Sequence, residues 1–84
     1  MIFMKDYYNH VALWIKANKP KYIIVRVTYK PDDYEWLLEP IDIFEDGSVM
    51  IDGFDFEEYV TEIFKGDRLK FYKFDPKSFA KEEI

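Results

Sequence analysis

The run Tyr22-Ile23-Ile24-Val25-Arg26-Val27-Thr28-Tyr29 constrains this chain more than any other feature. All of its residues except Arg26 are β-branched or aromatic, the side chains that pack best on a pleated surface, so it predicts a strand. Alternation sets Ile23, Val25, Val27 and Tyr29 on one face. Arg26, Thr28 and Lys30 take the other face, beside Tyr22 and Ile24. A lone strand is not stable in water, so neighbouring segments must pair with it and cover its apolar face.

The following residues supply partners. Pro31-Asp32-Asp33 has turn chemistry, and Tyr34 to Leu38 reads as a returning strand with Tyr34, Trp36 and Leu38 inward and Glu35 outward. Pro40 lacks an N–H and predicts a break, a bulge or an edge position. Ile41 to Glu45 is expected to pair with Ser48 to Ile51 across Glu45-Asp46-Gly47, since Asp-Gly suits a tight hairpin. A second Asp-Gly, Asp52-Gly53, ends that strand, and Arg68 to Phe74 forms a further one.

Two segments have helical spacing. In Asp6 to Ala17, Tyr8, Val11, Ala12 and Ile15 form one apolar stripe with Trp14 on its flank. Asp6 is placed to cap its start, Asn18 to take the left-handed stop, and Pro20 forbids continuation. In Asp55 to Lys65 the stripe is Phe56, Tyr59, Val60, Ile63 and Phe64, with Glu57, Glu58 and Glu62 on the wet side. Asp55 and Glu58 have the form of a capping box, and Gly66 stands where a C-terminal glycine belongs. Asp75-Pro76 is expected to open a short terminal helix through Phe79, with residues 76–84 otherwise a frayed tail.

The expected fold is therefore α+β in the order α-β-β-β-β-α-β. It is a single domain over residues 1–84, with a mostly antiparallel sheet of about four strands and two helices on one face. Composition supports a packed core: 49% of residues are hydrophobic, unlike a disordered chain. The chain has no cysteine, so disulfides, thiolate zinc sites and cysteine nucleophiles are excluded. No apolar run reaches the ~18 residues of a membrane span, and the start lacks the apolar core of a signal peptide, which predicts a cytoplasmic protein.

Charge is segregated along the chain. Residues 1–30 carry six bases and Asp6, for +5; residues 31–64 carry twelve acids and no base; residues 65–84 carry six bases and four acids, for +2. The sum, −5, disfavours general phosphate binding. Pairing of the acidic middle with the basic ends would need no partner.

Enzyme chemistry finds little support. His10 is the only histidine, neither Ser48 nor Ser78 lies in a nucleophile context, and the glycines are accounted for by turns and a cap. An EF-hand register from Asp42 places Phe44 and Gly53 where oxygen ligands are required, so no such calcium loop exists. No cofactor and no metal site is expected; Asp42, Asp46, Asp52 and Asp55 sit at turns, where carboxylates usually serve local hydrogen bonding.

Two binding functions follow from the residues. In the first, a small acidic inhibitor, adaptor or regulator docks a basic protein partner through Asp32, Asp33, Glu35, Asp46, Glu57, Glu58 and Glu62. In the second, Arg68-Leu69-Lys70-Phe71-Tyr72-Lys73-Phe74 interleaves bases with aromatics as single-strand nucleic-acid platforms do. Arg68, Lys70 and Tyr72 would then share a face with Arg26 and Lys30 if this strand lies beside the first. The seventeen aromatics exceed what the expected core hides, which points to a homodimer through Trp14, Tyr22, Phe54 and Phe79.

Overall fold

The computed structural model of the protein describes residues 4–65 and 68–84. Helix α1 (Met4–Asn18) precedes strands β1 (Tyr22–Lys30), β2 (Asp33–Ile43), β3 (Val49–Ile51) and β4 (Phe54–Asp55). A short helix α2 (Phe56–Glu58) runs into a π-helical turn (Tyr59–Ile63), and β5 (Arg68–Phe74) and β6 (Lys81–Glu83) follow. The strands form one antiparallel sheet in the order β4-β3-β2-β1-β5-β6. The α+β class holds, but the sheet has six strands rather than about four.

The core lies between the helices and one face of the sheet. Val11 and Ile15 of α1, with Phe56 and Tyr59, pack on Ile23, Val25, Val27, Val49, Ile51, Leu69 and Phe71. Phe71 is its aromatic centre, 5.5 Å from Phe56 and 6.0 Å from Tyr8 between ring centroids. The hydroxyl of Tyr7 accepts a 2.8 Å hydrogen bond from the Phe71 N–H. Ile84 N–H donates to the Phe71 carbonyl at 2.9 Å, so Tyr7 completes the edge of β5 where β6 ends.

The alternation of β1 and β5 is as their sequences predict, but β2 is inverted. Lys30 stands opposite Asp33, whereas Thr28 stands opposite Tyr34, so β1 advances two residues while β2 advances one. This bulge at Tyr29 moves the register by one and exchanges the faces of β2. Without it, Trp36 would lie opposite Val27, among the core residues. With it, Trp36 lies opposite Arg26 and Leu37 opposite Val25. Tyr34, Trp36 and Leu38 consequently lie outward, and Leu37 and Glu39 turn toward the helices.

Other boundaries also shift. Asp6 lies in the first helical turn rather than at the cap. Asn18 remains helical because its side-chain amide donates to the Trp14 carbonyl at 2.9 Å, so Lys19 takes the left-handed conformation, φ 48°. Pro40 neither breaks nor bulges β2. It lies opposite Tyr22, where β2 passes from pairing with β1 to pairing with β3. Its carbonyl accepts from Asp52 N–H while Ile41 N–H donates to Lys21, so its missing donor falls on the β3 side, where that ladder ends.

The hairpin at Glu45-Asp46-Gly47 forms, with Ile43 opposite Val49. Asp52-Gly53 does more than end a strand: φ values of 51° and 83° make a two-residue hairpin turn into β4. Asp55 caps the next helix by accepting from Glu57 N–H at 3.0 Å. After one turn the ladder widens, and Phe64 N–H donates to Tyr59 five residues back. The added residue swings Ile63 out to 42% exposure, although the apolar stripe assigned it to the core. Gly66 lies outside the described residues.

The expected terminal helix is replaced by a turn and a strand. Asp75 Oδ1 accepts from Lys77 N–H and Oδ2 from the Ser78 hydroxyl, and Phe79 reverses the chain with φ 57°. Residues 81–83, expected in a frayed tail, pair with β5, Glu83 opposite Tyr72 and Lys81 opposite Phe74.

Candidate functional site

The outward face of the sheet gathers cations and aromatic rings. β1 contributes Arg26, β2 contributes Tyr34, Trp36 and Leu38, β5 contributes Arg68, Lys70 and Tyr72, and β6 contributes Lys81 and Glu83. Trp36 is its centre. Its ring meets Tyr34 at 6.2 Å and Tyr72 at 5.2 Å, both edge-on. The Arg26 guanidinium lies 4.2 Å from the Tyr34 centroid and 5.6 Å from that of Trp36. Lys81 reaches over β5 and β1 to bring its ammonium 4.0 Å from the Trp36 centroid. Cation–π contacts of this kind hold the rings upright on a wet surface. Trp36 stays 42% exposed and Leu38 54%.

Four of the five residues proposed for a nucleic-acid face, Arg26, Arg68, Lys70 and Tyr72, come together here, whereas Lys30 lies past the bulge opposite Asp33 and so leaves the face that its alternation with Arg26 predicts. Arg26 is directly opposite Lys70, and Thr28 opposite Arg68. Lys30 and Arg68 line one cleft of about 280 Å³ at the end of the face. Tyr34, Trp36 and Lys81 belong to the same surface, although their sequence pattern does not place them there. The bulge hides the first two, and Lys81 sits in a C-terminal strand with no strand-like composition.

The acidic residues, by contrast, are divided. Asp32 lies in the β1–β2 turn and Asp33 opens β2 beside it, while Asp46 sits at the tip of the β2–β3 hairpin. The eleven residues of β2 separate these ends by about 35 Å, close to the 37 Å longest dimension. Glu57 and Glu58 lie on α2 and Glu62 in the π turn; Glu35 faces the helix side and accepts a hydrogen bond from Tyr29. Asp46 is held below the usual carboxylate range by hydrogen bonds from Ser48. Among the described residues no acid of 31–64 forms an ion pair; the pairs present are Lys70–Glu83 at 3.8 Å and Lys73–Glu82 at 3.7 Å. The basic ends therefore do not neutralise the acidic middle by direct contact.

A buried carboxylate lies apart from both sets. Glu39, 8% exposed, accepts a 2.7 Å hydrogen bond from the Tyr59 hydroxyl. Burial pushes Glu39 above its ordinary range, and burial together with the adjacent carboxylate pushes Tyr59 up. On the helix side, a groove of about 550 Å³ between α1 and α2 has an apolar floor of Tyr8, Phe56 and Val60.

His10 is exposed, and Ser78 is engaged by Asp75. Among the described residues no three histidine or carboxylate groups are placed to hold a metal ion, and no helix is long and apolar enough to cross a membrane. No protein-family model matches the chain, and comparison with curated proteins and with solved structures finds no match.

Proposed function

We propose that the protein is a non-enzymatic binding module that takes single-stranded nucleic acid on the open face of its sheet. The observation that carries this reading is the convergence of Tyr34, Trp36 and Tyr72 with Arg26, Arg68, Lys70 and Lys81 on one exposed face. Bases stack on aromatic rings whatever their identity, and a cationic surface follows the backbone phosphates. The bulge at Tyr29 supports the same reading, because it costs the core three large apolar side chains and delivers them to the surface.

The net charge of −5 does not oppose local anion binding. Around Trp36, four cations stand against the single carboxylate of Glu83. Asp42, on the same face of β2, is about 20 Å along the strand from Trp36, beyond the ~8 Å screening length at physiological salt. Titration of the protein with a labelled oligodeoxythymidine at low salt tests the proposal. Binding that weakens steeply with salt and quenches tryptophan emission is expected; no shift at any salt concentration removes it.

One observation favours a second reading, an acidic inhibitor or adaptor that docks a basic protein: the carboxylates of 31–64 are free of ion pairs among the described residues. Because they sit at two ends of β2, such a partner would have to span the molecule or use one end. Neutralising Asp32 and Asp33, and separately Asp46, would then weaken capture of the partner from one end only. A homodimer through exposed apolar residues such as Leu38 and Phe79 would show as a doubled mass in light scattering.

A further inference from the structure

Arg26 and Lys70 are directly opposite one another on the central strand pair β1–β5. Like charges at directly opposed positions repel and destabilise the strand pair. Neither cation is well compensated. Lys70 meets Glu83 only at 3.8 Å, with both side chains about half exposed, a geometry that contributes little. Arg26 has no carboxylate within ion-pair distance among the described residues, and its Nε is buried without a hydrogen-bond partner. Its neighbours are the ring faces of Tyr34 and Trp36 rather than acceptors.

A conflict of this kind is removed when an anion sits between the two cations. We propose that Arg26 and Lys70 form a phosphate clamp at the centre of the open face. The phosphate is one from the backbone of the single-stranded nucleic acid proposed above, on which reading this inference rests. The planar fork of Arg26 holds it in fixed orientation, the Lys70 ammonium adds charge, and the rings of Tyr34, Trp36 and Tyr72 on either side receive the flanking bases. Glu83 stands where the anion would meet Lys70, so the carboxylate of the C-terminal strand competes with the phosphate for that cation.

The test is a salt series of oligodeoxythymidine titrations with the full chain and with Arg26→Met, Lys70→Met, Glu83→Gln and, as a control cation on α1, Lys16→Met. Arg26→Met and Lys70→Met are each expected to weaken binding about tenfold at low salt and to lower the salt slope by about one. Glu83→Gln is expected to tighten binding several-fold, and Lys16→Met to leave it unchanged. Glu83 is exposed, so that variant remains informative if Arg26→Met destabilises the fold. If the wild type binds while Arg26→Met and Lys70→Met bind within twofold of it, or if Lys16→Met is equally damaging, the clamp is wrong and the open-face reading stands. If the wild type does not bind, both fall.

Discussion

Tyr59, in the π-helical turn, donates a 2.7 Å hydrogen bond to the buried carboxylate of Glu39 on β2. The contact ties the second helical segment to the sheet, and it makes Glu39 a titrating element inside the core. Burial raises Glu39 above its ordinary value of 4.5, so the folded state binds this proton more tightly than the unfolded chain. The contribution of Glu39 to stability is therefore greatest below pH 4.5 and declines as pH rises through the folded value. Glu39→Gln keeps an acceptor for Tyr59 and removes the charge. Its urea midpoint is expected to exceed that of the wild type at pH 7, with the difference shrinking toward pH 4. An equal difference at both pH values would show that folding leaves the proton affinity of Glu39 unchanged.

Removing the other partner has the opposite sign. Tyr59→Phe leaves the Glu39 carboxylate buried without its donor, at an expected cost of about 1–3 kcal/mol at pH 7. Because a protonated carboxyl is less costly to bury, the penalty shrinks in acid. Urea unfolding of Tyr59→Phe at the same two pH values measures both effects.

The edge of β5 depends on a side chain 64 residues away in sequence. Tyr7 accepts the Phe71 N–H at 2.8 Å, in the place where a longer β6 would have supplied a carbonyl. Tyr7→Phe preserves the ring contacts with Tyr8 and Phe71 and orphans that N–H. A loss of about 1–3 kcal/mol is expected, with faster hydrogen exchange at Phe71 than at its neighbours. Unchanged exchange at Phe71 would show that water replaces the phenol without cost.

Gly53 takes φ 83° in the two-residue turn that joins β3 to β4, and a Cβ there would meet nothing within 4 Å. The cost of Gly53→Ala is thus purely conformational, about 1–2 kcal/mol. Asp52→Asn, at φ 51° in the same turn, keeps a side chain tolerant of the left-handed region and removes a charge near Glu39, so it is expected to be neutral or mildly stabilising. Thermal melting of both variants separates a backbone effect from a packing effect.

Where local chemistry decides structure, the chain is readable. The β-branched run of β1, the stripe of α1 and the Asp-Gly pairs all produce their elements. The failures have particular causes. The faces of β2 follow from hydrophobicity only if the ladder from Lys30–Asp33 continues without a bulge. One extra residue at Tyr29 overrides the hydrophobic signal of Tyr34, Trp36 and Leu38. Ile63 leaves the core because a π turn changes the helical period from within. β6 has the composition of a solvated tail, and its pairing with β5 depends on the reversal at Phe79, which carries no glycine. The candidate face is built from two of these features, the bulge and β6, joined to the basic-aromatic strand that the sequence displays openly.

That arrangement separates the requirements of folding from those of binding, and Trp36 is the residue on which the separation is measured. Its neighbours are Arg26, Lys81, Tyr34 and Tyr72, all on the outward face, and none belongs to the buried core. Trp36→Ala is therefore expected to cost less than about 1.5 kcal/mol of stability, whereas truncating a buried aromatic such as Phe71 costs about 3–5 kcal/mol. Binding should respond in the reverse order. One lost base-stacking platform is worth about 1–3 kcal/mol, which lowers oligonucleotide affinity roughly 5- to 150-fold. Trp36→Phe retains a ring and should recover much of the affinity. Denaturation and titration of the two Trp36 variants side by side check this. If Trp36→Ala binds as the wild type does, bases do not stack at the centre of the face. If it unfolds as readily as a core variant, Trp36 is a structural residue and the open face is part of the packing.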